Sequence, residues 1–177
     1  MRIVGGKFKG RKLLEFSGQS VRPTPDMVRE SIFNILQFRI HGAYFLDLFS
    51  GTGAMGIEAI SRGAKEVVFN DKDRESVKLI KKNLEKLGEV DGVKVLNCDA
   101  LTLLKSTDKK FDIIYIDPPY KTELGVSCLP LVNRVLSDGG VVIFEDEKEF
   151  SGEIDGLILK DKRKYGRVRL AFFEKGE

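Results

Sequence analysis

The feature that most constrains the fold is an alternation of apolar runs with amphipathic stretches that begins near residue 43. Five apolar runs, YFLDLF, EVVFND, VKVLNC, FDIIYID and GGVVIFEDE, predict strands. The segments between them predict helices near 54–62, 73–87, 100–106 and 123–136. Strands that are apolar on both faces and separated by helices are typical of a parallel sheet covered on both sides. The chain is therefore expected to be an α/β protein.

The end of the chain departs from this alternation. In the tail LILKDKRKYGRVRLAFFEK, two strand-like runs meet at Tyr165 and Gly166 with no helix between them. A direct connection of this kind predicts an antiparallel hairpin. Five strands and this hairpin give a seven-stranded, mostly parallel sheet.

The beginning of the chain departs from it as well. The opening MRIVGGKFKGRKLLEF alternates apolar and basic residues around glycines and predicts a short β-hairpin. Thr24 is a good helix N-cap, Pro25 suits the first helical position, and the apolar spacing that follows predicts a helix from Pro25 to about Phe38. We expect a basic extension over 1–40 and one domain over 41–177.

Composition restricts the class of protein. A chain of 177 residues with 42% hydrophobic residues is long enough for one well-buried core. No apolar run approaches the length of a membrane span and no leader pattern is present, so a soluble, cytoplasmic protein is expected. Cys98 and Cys128 form no CxxC pattern, and we expect both to be reduced packing residues.

Positive charge is concentrated at the start of the chain. The net charge is only +3, but residues 1–40 hold eight Lys or Arg against three acids, while residues 41–177 hold slightly more acids than bases. Such a segment is typical of a surface that neutralises nucleic-acid phosphates. The alternative is a solvated basic surface with no partner.

The glycine loop SGTGAMG at 50–56 follows the first predicted strand. It fits G-x-G-x-x-G, and ligands of open α/β sheets bind beyond the carboxyl ends of the strands. Asp71 ends the second strand 20 residues after Gly51, where a carboxylate accepts hydrogen bonds from a ribose. A dinucleotide and S-adenosylmethionine both contain a ribose, so the loop and this acid leave the choice between them open.

Three further features favour S-adenosylmethionine. Asp47 lies inside the first strand, where its charge would repel a pyrophosphate but attract the cationic amino group of a methionine moiety. Asp99 follows the third strand, within reach of an adenine edge, and the fourth strand ends in DPPY. Taken singly, such features also occur as helix caps and rigid turns. In this order and spacing they resemble a class I S-adenosylmethionine-dependent methyltransferase of Rossmann-like fold.

The DPPY sequence implies methylation of an exocyclic amine or an amide. Asp117 and the Pro118 carbonyl can accept both N–H groups, which localises the nitrogen lone pair; Pro119 stiffens the turn and Tyr120 offers a face for base stacking. Positioning then supplies much of the acceleration, and no metal is required. DPPY resembles the (D/N/S)PP(Y/F) signature shared by enzymes that act on adenine N6, cytosine N4, guanine N2 or a protein glutamine amide, so the resemblance leaves the acceptor open among these.

Several segments resemble one family closely. RIVGGKFKGRKL, RPTPDMVRESIFNIL, DLFSGTGAMGIEAISRGA and FDIIYIDPPY resemble the bacterial RsmD family of 16S rRNA (guanine-N2)-methyltransferases, and KYGRVRLAFF does so more loosely. The resemblance implies that S-adenosyl-L-methionine is the cofactor. It also implies methylation of guanine N2 at family position 966 in 16S rRNA, within a small ribosomal subunit or an assembly intermediate.

The resemblance also assigns roles to residues. It implies a cofactor site lined by Asp47, Phe49, Ser50, Gly51, Thr52, Gly53, Asp71, Asp99 and Ala100. It implies that the chemistry is carried by Asp117, Pro118, Pro119 and Tyr120. The basic extension then contacts RNA through Arg2, Lys7, Lys9, Arg11, Lys12, Arg22 and Arg29. A second basic cluster, from Lys160 to Arg169, either contacts RNA or is a solvated edge that discourages strand pairing.

Other functions remain open from the sequence. The same enzyme class could act on DNA adenine or a protein glutamine, although the chain has no obvious separate target-recognition domain. A non-catalytic RNA-binding assembly factor would keep the fold without the reaction, and a nicotinamide oxidoreductase is the weakest alternative. We expect a monomer, because one domain with both faces covered leaves no obvious large apolar patch.

Overall fold

A computed structural model describes residues 1–17, 24–120 and 122–176. The described chain forms one seven-stranded sheet of order β3-β2-β1-β4-β5-β7-β6. The strands are β1 (Tyr44–Asp47), β2 (Glu66–Asn70), β3 (Val93–Leu96), β4 (Phe111–Ile116), β5 (Leu136–Asp146), β6 (Leu157–Tyr165) and β7 (Val168–Lys175). The helices are α1 (Asp26–Ile35), α2 (Ala54–Ser61), α3 (Arg74–Glu85), α4 (Ala100–Ser106) and α5 (Leu124–Val135).

The first five strands are parallel, as the alternating pattern predicts. Their side chains alternate between two apolar cores, one on each face of the sheet. Phe45 and Ile113 pack with α1, α2 and α3, whereas Leu46 and Ile114 pack with α4 and α5. Both faces are therefore covered, which explains why these strands are apolar along their whole length. The Rossmann-like fold expected from the sequence is confirmed.

The predicted terminal hairpin is also confirmed. β6 and β7 are antiparallel, and β7 pairs in turn with β5, so the hairpin extends the sheet beyond its parallel part. Gly166 has a φ of +58° in the connecting turn, a conformation that favours glycine. Since β7 runs opposite to β5, the tip of the hairpin lies at the edge of the sheet where the parallel strands end.

The N-terminal segment differs from the prediction in detail. In place of a β-hairpin, residues 1–13 form a loop with a single antiparallel bridge between Arg2 and Lys12. Ile3, Phe8 and Leu13 are buried in the same core as α1 and α2. The backbone amides of Val4 and Gly5 donate to the Glu58 carboxylate of α2, so they do not pair with a second strand.

The first helix also differs from the prediction. α1 begins at Asp26 and ends at Ile35, with Pro25 as its N-cap and no capping side chain. The predicted N-cap, Thr24, is bonded elsewhere: its Oγ1 lies 3.2 Å from the Tyr115 hydroxyl of β4. A tertiary contact has replaced the local cap that the sequence suggested.

The described residues contain no helix long and apolar enough to cross a membrane. Both cysteines are free thiols, as expected: Cys98 is half-buried and Cys128 is fully buried. Burial raises the pKa of Cys128 to about 12, which leaves it an unreactive packing residue at neutral pH.

Candidate active site

The glycine loop connects the end of β1 to α2. Gly51 and Gly53 have φ values of +51° and +81°, which favour glycine because a side chain would be strained there. A Cβ atom on Gly51 would meet no heavy atom within 4 Å, so the backbone at this point borders open space. Gly56 differs, because its Cβ would lie 2.2 Å from Cε1 of Phe69. The third glycine therefore lets α2 pack closely against β2.

Hydrogen bonds hold this loop between two strands. The Ser50 hydroxyl donates to the Asp47 carbonyl at 2.8 Å and accepts from the Asn70 amide at 2.9 Å. The Asn70 side-chain amide donates to the carbonyls of Leu48 and Cys98, which joins the ends of β1, β2 and β3. Asn70 was not predicted as a site residue, although its polar side chain at the end of an apolar strand was a signal for such a role.

Asp47 is the most deeply buried acid of the loop, with 1% of its surface exposed. Its Oδ2 accepts from the Gly56 amide at 3.0 Å, and no described residue donates to its Oδ1. Burial is the main cause that raises the pKa of Asp47 to about 7, and the charge of Asp71 raises it further. A buried, unpartnered carboxylate oxygen is a favourable acceptor for a cation.

Asp71 and Asp99 lie at the ends of the next two strands. Asp71 is half-buried; its Oδ2 accepts from the Gly51 amide at 2.9 Å, so it braces the glycine loop. Asp99 is exposed and is the N-cap of α4, with Oδ1 accepting from the Thr102 amide at 3.0 Å. These bonds with Thr102 are the main reason that the pKa of Asp99 lies below its ordinary value.

The other predicted cofactor residues surround these acids. Phe49 is half-buried in the loop, while Thr52 and Ala100 are buried. The Thr52 carbonyl accepts from the Asn83 side chain at 3.0 Å, which ties the loop to α3. The structure thus brings the predicted cofactor residues to one edge of the sheet, and several of them also build the loop itself.

S-adenosyl-L-methionine fits this set of donors and acceptors. The free Oδ1 of Asp47 suits a cationic amino group, the half-buried Asp71 carboxylate suits a ribose, and the backbone at Gly51 is unobstructed. A dinucleotide fits less well, because its negative pyrophosphate would lie near the buried Asp47.

The DPPY segment follows β4, the strand next to β1. The pairing of Asp47 with Tyr115 places Asp117 two residues further along the same edge of the sheet. Pro118 is buried, and a Cβ on Gly125 would lie 2.4 Å from its Cγ, so α5 packs tightly against this proline. Pro119 and Tyr120 are exposed, with Tyr120 at 40%.

Asp117 is half-buried and accepts no hydrogen bond from the part of the chain that the structure describes. Burial raises its pKa well above the ordinary value for an aspartate, and the charge of Glu145 is the next largest cause. Asp47 and Asp146 raise it further. Such a carboxyl group is a strong hydrogen-bond acceptor when it is ionised.

A buried polar cluster beside Asp117 was not predicted. The Tyr115 hydroxyl donates to Oε2 of Glu145 on β5 and lies 3.2 Å from Oγ1 of Thr24. Burial raises the pKa of Glu145 to about 7, while the bonds with Tyr115 and Thr24 act in the opposite direction. A tyrosine and a glutamate within apolar strands were the available signals; their pairing depends on the order of β4 and β5 in the sheet.

Most of the predicted RNA-binding residues lie on the surface. Arg2, Lys7, Lys9, Arg11 and Lys12 are exposed. The guanidinium of Arg11 stacks 4.7 Å from the ring centroid of Phe8, which orients it on the surface of the N-terminal loop. Arg22 lies outside the described residues.

Arg29 requires a correction. It is buried with 1% of its surface exposed, and it donates to the carbonyls of Thr24 and Arg2 and to Oδ1 of Asp26. Its guanidinium joins the N-terminal loop to the start of α1 and does not face a partner. The helical spacing from Arg29 to Ile32 and Phe33, both buried, was the signal that it lies on the inner face of α1.

Comparisons with known proteins point to one family. The family model described as Conserved hypothetical protein 95 matches residues 1–174. Ribosomal RNA small subunit methyltransferase D of Haemophilus influenzae is 36% identical over 84% of this chain and 80% of its own. The Escherichia coli protein of the same name is also 36% identical, over 84% of this chain and 76% of its own. The solved structure of yhhF from Escherichia coli superposes with a TM-score of 0.89 at 32% identity, covering 99% of this chain and 97% of that one.

Proposed function

Because the chain belongs to the Conserved hypothetical protein 95 family, as does ribosomal RNA small subunit methyltransferase D, we propose that it methylates the exocyclic N2 of a guanine in 16S rRNA. The observation that carries the proposal is the placement of the Asp117 carboxyl group beside the end of β1. That position puts a half-buried acceptor for an amine next to a loop suited to S-adenosyl-L-methionine.

The end of β1 binds the methyl donor. S-adenosyl-L-methionine, when bound, supplies a methyl group on a positively charged sulfur. Oδ1 of Asp47 would accept from its amino group, and the Asp71 carboxylate, already fixed by the Gly51 amide, would accept from its ribose. Asp99 lies at the start of α4, at the same edge, and Ala100 forms part of the wall there.

The end of β4 binds the acceptor amine. The lone pair of a guanine amine is delocalised into the ring, so the amine is a poor nucleophile. Asp117 and the Pro118 carbonyl would accept its two N–H groups, which would make the nitrogen more pyramidal and localise its lone pair for attack on a methyl group. Tyr120, half-exposed on the same turn, provides a face on which the displaced base stacks.

Asp117 also receives the proton that the amine loses. The methylated nitrogen is positively charged and acidic, so its proton passes to the nearest base. The raised pKa of Asp117 makes its ionised carboxylate a stronger base than the carboxylate of an ordinary aspartate. Glu145, bonded to Tyr115, lies within electrostatic range and modulates this basicity.

The rRNA is held by basic residues outside this centre. Arg2, Lys7, Lys9, Arg11 and Lys12 are exposed on the N-terminal loop and supply charge for phosphate contacts. We propose that the protein acts in the cytoplasm as a monomer on the small ribosomal subunit or an assembly intermediate. The extension over 1–40 then serves as the RNA-binding part and 41–177 as the methyltransferase domain.

The proposal is tested with labelled S-adenosyl-L-methionine and three substrates in parallel: unmethylated small ribosomal subunits, naked 16S rRNA and duplex DNA. Mass spectrometry of the digested nucleosides identifies the product. We expect N2-methylguanosine from the ribosomal subunit. Label in DNA or in protein, or cofactor binding without transfer to any substrate, would contradict the proposed function.

A further inference from the structure

A basic pocket lies between the loop after β5 and the β6–β7 hairpin. Its cavity volume is about 170 Å³, room for several waters at about 30 Å³ each. Phe144 and Phe150 form part of its apolar floor. Its charged lining consists of five bases and one acid: Lys148, Lys162, Arg163, Lys164, Arg169 and Glu149. The excess of positive charge makes it suitable for an anion.

The pocket lies at the same edge of the sheet as the candidate active site. The pairing of Asp146 with Arg169 places the start of β7 at the carboxyl end of β5. β5 is in turn the neighbour of β4, which leads to Asp117. Since adjacent strands are about 4.8 Å apart, β7 lies about 10 Å from β4 across the sheet. The start of β7 and the Asp117 turn therefore lie at the same edge of the sheet, two strands apart.

Two of the lysines are available to a ligand. Lys162 pairs with Glu149 at 3.1 Å, and Arg163 pairs with Asp161 outside the charged lining. Within residues 1–17, 24–120 and 122–176, the side chains of Lys148 and Lys164 have no hydrogen bond or ion pair, and both are exposed. Their charges face the same cavity and are not neutralised by the protein.

Protection of an exposed sheet edge does not account for this arrangement. Lysines that discourage strand pairing belong on the edge strand, which here is β6. Lys148 comes from the loop after β5, and Arg169 comes from β7, an inner strand of the sheet. Three different segments therefore converge their positive charge on one cavity.

We propose that this pocket binds phosphate groups of the RNA strand that flanks the target guanine. The inference rests on the proposed function, because it assigns an RNA contact to the same reaction. It adds a second phosphate-binding region, separate from the N-terminal loop. With both regions engaged, the RNA is held on two sides of the Asp117 turn.

The test compares two double variants of equal net charge. K148Q/K164Q removes the two unpaired charges of the pocket. K81Q/K105Q removes two exposed lysines from α3 and α4, which lie outside the pocket lining and make no ion pair among the described residues. We measure kcat and KM for unmethylated small subunits over a range of salt concentrations, together with the affinity of each variant for naked 16S rRNA.

We expect K148Q/K164Q to raise KM about tenfold, with a far smaller effect on kcat, and to weaken binding of naked rRNA. The slope of log KM against log salt should become shallower by about 1.4, since each lost phosphate contact on a single strand contributes about 0.7. K81Q/K105Q should resemble the wild type in kcat, in KM and its salt slope, and in affinity for naked rRNA.

Three results would overturn the inference. Equal KM values for the two double variants, with an active wild type, would contradict phosphate binding in the pocket. The proposed methyltransferase function would not be affected. A raised KM on subunits with unchanged affinity for naked rRNA would assign the pocket to an acidic protein of the particle. A wild type that transfers no methyl group to RNA would contradict the proposed function, and it would contradict this inference as well.

Discussion

The ends of β1 and β4 are neighbours in the sheet but are built differently. At the end of β1, Ser50, Asp71 and Asn70 fix the glycine loop through hydrogen bonds to the backbone. At the end of β4, Asp117 accepts no such bond within the described chain, and Pro119 and Tyr120 are exposed. The site for the small cofactor is thus built before binding, while the hydrogen-bonding capacity of Asp117 is left for the substrate. This difference predicts that changes at the two ends affect different kinetic constants.

The largest effect is expected at Asp117. Asp117→Asn keeps the shape of the side chain but removes its negative charge and its basicity. Loss of a positioned proton acceptor reduces rates by about 10²–10⁴-fold, so we expect kcat to fall within this range. Single-turnover methylation of small subunits measures the chemical step directly.

The affinity of the same variant for S-adenosyl-L-methionine is the control. Because Asp117 lies at the end of β4, titration calorimetry should give a dissociation constant close to that of the wild type. A variant that lost cofactor affinity in parallel with kcat would show that the two strand ends act as one unit, contrary to the comparison.

The next effect concerns Asp47 and depends on pH. Its pKa of about 7 in the unliganded protein means that the carboxyl group is largely protonated below this pH. Since a cationic amino group needs the ionised form, the affinity for S-adenosyl-L-methionine should fall about tenfold for each pH unit below 7. Calorimetry between pH 5 and pH 8 measures this dependence, and Asp47→Asn should abolish it.

The ionisation of Asp47 also affects the free energy of unfolding. Its pH dependence has the opposite sign from that of a carboxyl group whose pKa is lowered by folding. A carboxyl group with a raised pKa binds more protons in the folded state than in the unfolded state between about pH 4 and pH 7. Its contribution to the free energy of unfolding therefore falls as the pH rises through this range. Asp47→Asn should become more stable relative to the wild type from pH 5 to pH 8, whereas Asp155→Asn, at an exposed position, should show no such trend.

Gly56 tests how far the β1 end depends on close packing. Its added Cβ in Gly56→Ala would lie 2.2 Å from Cε1 of the buried Phe69, so the helix or the ring must move. Overpacking of this kind costs about 1–3 kcal/mol of unfolding free energy, and KM for the cofactor should rise with it. Chemical denaturation measures the cost. Gly176→Ala, whose Cβ would approach no atom closer than 3.4 Å, should be nearly neutral.

The sequence predicted the architecture well because its signals are local. Apolar runs between amphipathic segments specify parallel strands, and the glycine loop and DPPY segment each lie within a few residues. The parallel strands, the terminal hairpin and the free cysteines are confirmed. The roles of the individual site residues stay predictions.

The failures of prediction involve contacts between distant segments. The predicted cap at Thr24 was wrong because a hydroxyl on β4, 91 residues away, replaces the local helix amide as its partner. The predicted RNA contact at Arg29 was wrong because the side chain is used to join the N-terminal loop to α1. Which polar side chains are buried together depends on the order of the strands in the sheet. Local patterns in a single sequence do not reveal that order.

The smallest effect is expected at Glu145, and it would sharpen the description of the β4 end. Glu145→Gln keeps the shape of the side chain and an oxygen that can accept from Tyr115, but removes a charge that raises the pKa of Asp117. The pKa of Asp117 should therefore fall, and the acid limb of the pH profile of kcat/KM should move to lower pH. A purely structural role for Glu145 would lower the plateau without moving the limb. Glu147→Gln, at an exposed position two residues further on, is the matched control and should leave the profile unchanged.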